Sequence, residues 1–125
     1  MATVYTDVGE AEVVDIIDGT ATSPTDLGTN NNFIGWGTGA GTAVKGDTAL
    51  FTEAAESRVG GTVSQPSADI NQWVAEIVSA SGQTITNAGL FNASSSGVMV
   101  VKGDFTGIVL ATNDKIEFTI SLEQT

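Results

Sequence analysis

Glu53 and Glu56, three residues apart with Arg58 close behind, are the first groups in this sequence that could do chemistry together. Paired carboxylates can divide the work of general acid and general base. With an arginine beside them they serve more simply as salt-bridge acceptors in a polar turn, and that is the reading the residues favour. A second candidate is the glycine run Gly35, Gly37, Gly39 and Gly41 around Trp36. A dinucleotide fingerprint needs a helix opening straight after its glycines. Residues 41–45 offer no such start, and a phosphate loop would need Gly-Lys followed by Ser or Thr, whereas Lys45 precedes Gly46. The glycines read instead as places where backbone approaches backbone closely beside Trp36. Residues 29–32 and 113–114 are rich in oxygen ligands but lack the spacing of a calcium loop, which leaves a cation shared between subunits as the one metal reading. Lys45-Gly46-Asp47 and Lys102-Gly103-Asp104 read as charged turns.

Histidine and cysteine are both absent. That removes the commonest general base, the thiolate nucleophile and the usual zinc ligands, so no Ser-His-Asp or Cys-His site can be built from this chain. The expectation is a protein that is not an enzyme and carries no cofactor. Its 125 residues suit one domain. Fifteen acidic residues against four basic ones give a net charge of -11. Such a chain repels nucleic acid, whose binding needs Lys and Arg on phosphates, and it repels anionic membranes likewise. No apolar run approaches the length of a membrane span. No basic and apolar leader follows Met1, so synthesis in the cytoplasm without a cleaved export signal is expected. Charged residues make up only 15% of the chain, below the roughly 25% of an average domain; the polar surface must be Thr, Ser, Asn and Gly.

The elements that would position these groups are mostly strands. Asp7 with Glu10 three residues on resembles a capping box. Val13, Val14, Ile16 and Ile17 then fall on one helical face, and Gly19 is placed to stop the helix. This predicts a short amphipathic helix over 8–18, followed by a loop over 20–32. From Phe33 onward the chain reads as β: 33–36, a short apolar piece at 49–51, 57–65 with a break at Pro66, 70–79 covered on both faces, 83–87 and 88–92 parted at Gly89, 98–102, 108–111, and 115–123. The last alternates cleanly, with Ile116, Phe118, Ile120 and Leu122 inward. Many short strands with frequent turns predict an antiparallel β-sandwich of jelly-roll type, residues 33–125, preceded by an N-terminal arm with the helix and loop, residues 1–32. Trp36, Trp73, Phe51, Phe91, Phe105 and Phe118 are expected mostly in the core, with one exposed tryptophan free to anchor an interface.

Residues 33–43 (Phe-Ile-Gly-Trp-Gly-Thr-Gly-Ala-Gly-Thr-Ala), then 47–53 (Asp-Thr-Ala-Leu-Phe-Thr-Glu), Glu56 and Arg58, resemble a family of small virion structural proteins of tailed bacteriophages. So do 84–93 (Thr-Ile-Thr-Asn-Ala-Gly-Leu-Phe-Asn-Ala), 101–105 (Val-Lys-Gly-Asp-Phe) and the closing 114–120 (Asp-Lys-Ile-Glu-Phe-Thr-Ile). The resemblance implies a virion part without enzymatic activity: a capsid decoration (cement) protein on the outer capsid surface, binding the major capsid protein, or alternatively a tail or baseplate component. A carbohydrate-binding adhesion module is the reading from another class. The negative charge suits an outward-facing surface.

Cement proteins gain from avidity, so a homotrimer is expected, with a dimer next. Against mutual repulsion its contact should be apolar at the centre. The interface candidates are Phe33, Trp36, Gly37 and Gly39, and the helix face carrying Val13, Ile16 and Ile17. For Trp36 the alternative is simple core filling.

Overall fold

The computed structural model describes residues 2–20, 27–28 and 31–124, so the expected loop over 20–32 lies largely outside the described residues. In chain order the elements are β1 (Thr3–Tyr5), α1 (Asp7–Asp18), β2 (Phe33–Gly37), β3 (Val59–Gly60), β4 (Thr62–Ser67), β5 (Ile70–Val78), β6 (Gln83–Phe91), β7 (Met99–Leu110) and β8 (Lys115–Glu123). They build two antiparallel sheets, in the orders β1-β7-β6-β2-β3 and β4-β5-β8. The molecule is mainly β with one short N-terminal helix, a two-sheet sandwich as expected. Consecutive strands pair as hairpins inside one sheet, β4 with β5 and β6 with β7, so a jelly-roll winding is not confirmed.

Period-two alternation explains the core between the sheets. β8 turns Ile116, Phe118, Ile120 and Leu122 to one side, and β5 turns Trp73, Ala75 and Ile77 to the same side. Ile34 and Trp36 from β2, Ile85, Ala88 and Leu90 from β6, and Val101 from β7 meet them. Trp36 lies edge-on to Phe118, with ring centroids 6.3 Å apart, the geometry that ring quadrupoles favour. β5 is covered on one face only. Val74 on the other side is half-buried and Val78 is exposed, because nothing among the described residues packs on the outside of the three-stranded sheet.

The five-stranded sheet, by contrast, is covered on both faces. Its outer side carries Gly35 and Gly37 opposite Gly89 and Asn87, with Phe91, Met99, Lys102 and Asp104 in the neighbouring positions. Residues 38–58 lie over this side and form a second small core in which Leu50 meets Phe91 and Met99. The N-terminal turn of helix α1 packs against β7 on the same sheet. Its cap is Thr6, one residue before the expected Asp7. Thr6 Oγ1 accepts from the Gly9 amide at 3.0 Å and donates to the Met99 carbonyl at 2.5 Å. Capping and docking are thus one device, and a side chain at Gly9 would strike the Val100 backbone. Gly19 ends the helix in the left-handed conformation at φ 79°. β1, which the sequence did not suggest, pairs with β7, so the boundary at 32/33 does not part the N-terminal residues from the sheet they join.

Candidate functional site

The residues that could do chemistry converge on the outer face of the five-stranded sheet, where they fasten residues 38–58. Lys102 projects from β7 with its side chain fully buried. Its Nζ donates to Asp47 Oδ2 and to the Ala49 carbonyl, each at 2.9 Å, and sits 3.2 Å from the centre of the Phe51 ring. Arg58 lies over the Phe91 ring at 3.4 Å and forks onto both oxygens of Glu53, at 2.7 and 3.0 Å. Its Nη1 also donates to the carbonyls of Ala93 and Ser96. Asn87 holds Phe51 by the backbone from both sides, accepting from its amide and donating to its carbonyl. Asp104 accepts from the Ala43 amide at 2.7 Å. Glu56 instead ties this layer to the core and to the β5–β6 connection, accepting from Trp36 Nε1 at 3.3 Å, from the Ala80 amide at 2.9 Å and from Gln83 Nε2.

These bonds set the electrostatics. Burial acts to raise the Asp47 pKa, but the hydrogen bonds from Lys102 and the Val44 amide outweigh it and hold the carboxyl below its ordinary value. Burial of Glu56 is outweighed in the same way by the Ala80 amide, Trp36 and Gln83. The Ala43 amide lowers Asp104. Each carboxylate is therefore ionised and committed to a donor inside the molecule, the opposite of a raised, poised general acid. Among the described residues no cluster of three His, Cys, Asp or Glu could hold a metal ion.

The glycine run follows from this packing. A Cβ on Gly37 would stand 2.5 Å from the Phe51 carbonyl oxygen, and one on Gly39 would stand 2.7 Å from Thr52 Oγ1. Backbone approaches backbone as the sequence suggested, here within one chain. The interface reading of Trp36 and Gly37 is therefore corrected. Trp36 is 1% exposed and fills the core, Gly37 is buried, and Gly39 and Phe33 are half-buried. Of the two roles open to Trp36, core filling is the one observed. The salt bridge expected in the 53–58 turn joins Arg58 to Glu53, while Glu56 is recruited elsewhere.

The other candidate patch is exposed. Helix α1 is pressed against β7 at its N-terminal turn, and its apolar residues stand free beyond it: Val14 is 59% exposed and Ile17 79%, with Ile16 more buried and Val13 half-buried. Between Val13, Ile16 and the sandwich runs a groove of about 330 Å³, lined also by Leu27, Val63, Trp73 and Leu122.

Sequence reasoning missed the Lys102–Asp47 pair. Lys102 belongs to one Lys-Gly-Asp triplet and Asp47 to the other, so the two triplets meet on the outer side of the five-stranded sheet. The reading of Lys102-Gly103-Asp104 as a turn is corrected: it lies inside β7. The available signal was a lysine within an apolar strand, Val100-Val101-Lys102, where a charge must find a partner. Comparison of the chain with protein-family models, with curated proteins and with solved structures gives no match in any of the three.

Proposed function

We propose that this protein is a structural part of a tailed-bacteriophage virion, a decoration protein that binds the outer capsid surface and cements neighbouring coat subunits. The observation that carries the reading is the fate of the residues on which the family resemblance rests. Asp47, Phe51, Glu53, Arg58, Asn87, Phe91, Lys102 and Asp104 join one internal scaffold. A motif spent wholly on rigidity suits a module repeated at high density better than one that turns over a substrate. The net charge of -11 keeps such modules soluble and suits a surface turned away from packaged DNA. The exposed Val14 and Ile17 on α1 offer an apolar contact for the coat.

Cryo-electron microscopy of the parent virion tests this. Density for the chain on the outer capsid, bridging coat subunits, is the expected result. Density only on the tail or baseplate would replace the reading with its alternative. Binding to a glycan array without virion density would replace it with the adhesion module.

A further inference from the structure

A sheet edge presents unpaired backbone groups, and natural proteins blunt such edges against pairing. Among the described residues this sandwich has four edge strands, and β7 adds a free stretch beyond its pairing with β1 that a bulge breaks between residues 104 and 108. β1 is three residues long and β3 two. β4 carries Pro66 and a break in register between Ser64 and Ser67. β8 has no such protection: nine residues without proline or bulge, paired with β5 in unbroken register. We propose that β8 is the self-association surface, pairing antiparallel with β8 of a second copy about a two-fold axis at Thr119.

Three observations converge. The first is ladder parity. Ser79 N donates to the Asp114 carbonyl and Gln124 N donates to the Asp69 carbonyl. With the unbroken register between them, the even residues of β8 bond to β5. The odd residues 115, 117, 119, 121 and 123 therefore turn their N–H and C=O groups to the free edge. An axis at Thr119 sets odd against odd along the whole strand.

The second is charge. That register places Lys115 against Glu123 of the partner, twice by symmetry, with Thr119 against its own copy and Glu117 against Ser121. Shifting the axis to Phe118 leaves Glu123 unpaired. Shifting it to Ile120 sets Glu117 against Glu123. Thus only the Thr119 axis pairs all nine residues, joins opposite charges and avoids like ones. Among the described residues of the single chain, Lys115 has an exposed contact with Glu76 at 3.6 Å.

The third is the inner side of the strand. Ile116, Phe118, Ile120 and Leu122 are only half-buried, and a cavity of about 220 Å³ opens at this edge between Phe118, Ile120, Phe105 and Val101. The same register sets Ile116 beside Leu122 of the partner and Phe118 beside Ile120, extending the three-stranded sheet to six strands and closing the apolar edge. The occupant is a second copy because the strand is complementary to itself in sequence, in hydrogen-bond parity and in charge.

Sedimentation velocity on the purified full chain tests this. A dimer at tens of micromolar is expected. Thr119→Pro removes an outward N–H without touching the β5 ladder, so a monomer with native circular dichroism is expected. Lys115→Glu and Glu123→Lys should each weaken the dimer roughly ten-fold, the latter even though it lowers the net charge. The double variant, which re-forms the pair with its signs exchanged, should return to within about three-fold of the parent by the same reasoning. A monomeric parent chain at about 100 micromolar, a trimer, or no rescue in the double variant would overturn the proposal. So would a dimer that survives Thr119→Pro and is lost in Ile17→Asp, which would move the contact to α1.

Discussion

At the scale of single residues, the buried Lys102 gives the sharpest expectation. Its charge is tolerated because Asp47, the Ala49 carbonyl and the Phe51 ring replace water around it. The two partners are not equivalent, since the Lys102 side chain is 0% exposed and that of Asp47 20%. Removing Asp47 strands a cation in the interior, which typically costs about 3–5 kcal/mol. Removing the cation leaves a carboxylate that water can reach. Asp47→Ala should therefore destabilise clearly more than Lys102→Met, although Lys102→Met deletes the larger set of bonds. Urea melts of the two variants check the order, and equal losses would count against it. Trp36→Ala separates core from surface in the same experiment. A buried tryptophan with a ring contact and an indole hydrogen bond should cost roughly 3–5 kcal/mol when truncated, and any loss of self-association should follow only from unfolding. An unchanged melting temperature would return Trp36 to the interface.

At the scale of elements, what could be read from the sequence divides by the range of the forces involved. β8 was legible to the residue, because one polar and one apolar face write a period of two into the chain. α1 was legible for a similar reason, and Gly19 for its left-handed stop. Long-range packing left no such mark. Gly89 reads as a strand break, yet β6 runs through it: a Cβ there would press on Met99, the Val101 carbonyl and Leu50 at 3.1 to 3.2 Å. Gly103 and Gly107 misled in the same way, so that the single strand β7 looked like two. The layer formed by 38–58 could not be foreseen, since its ties reach across tens of residues, from Phe51 to Asn87 and from Ala43 to Asp104. Thr6 belongs to this class, being both cap and tether. Loss of a cap alone costs about 1 kcal/mol, and Thr6→Ala also leaves the Met99 carbonyl without its donor. Thr6→Ala should thus cost more than a cap alone, roughly 2 kcal/mol, whereas Thr6→Ser should retain most of the stability. Hydrogen exchange should show the loss first in the α1 amides; uniform loss across both sheets would argue against the tether.

At the scale of the whole molecule, the charge balance governs response to solvent. Each of the four cations has an acidic partner: Lys45 meets Glu10, Arg58 meets Glu53, Lys102 meets Asp47 and Lys115 meets Glu76. The remaining carboxylates largely repel one another, which opposes compactness. Acid acts against stability at the carboxylates that hold internal donors. Asp47, Glu56 and Asp104 have pKa values held below those of the unfolded chain, so the unfolded state binds their protons first. Their contribution is complete above the unfolded values, roughly 4 to 4.5, and is lost as pH falls through the folded ones. The melting temperature should therefore fall steeply below about pH 4, and Glu56→Gln should lessen that fall at the cost of stability at pH 7. Salt provides the counterpart. Raising NaCl from 10 to 300 mM shortens the screening length from about 30 Å to well under 10 Å. The ion pairs of Arg58 and Lys102 are sheltered by rings and backbone, and those of Lys45 and Lys115 are exposed and worth little. Screening thus relieves repulsion among many acids while weakening few attractions. Calorimetry at pH 7 should show the melting temperature rising by a few degrees across that range. A fall would mean that the exposed pairs of Lys45 and Lys115 outweigh the surplus of negative charge.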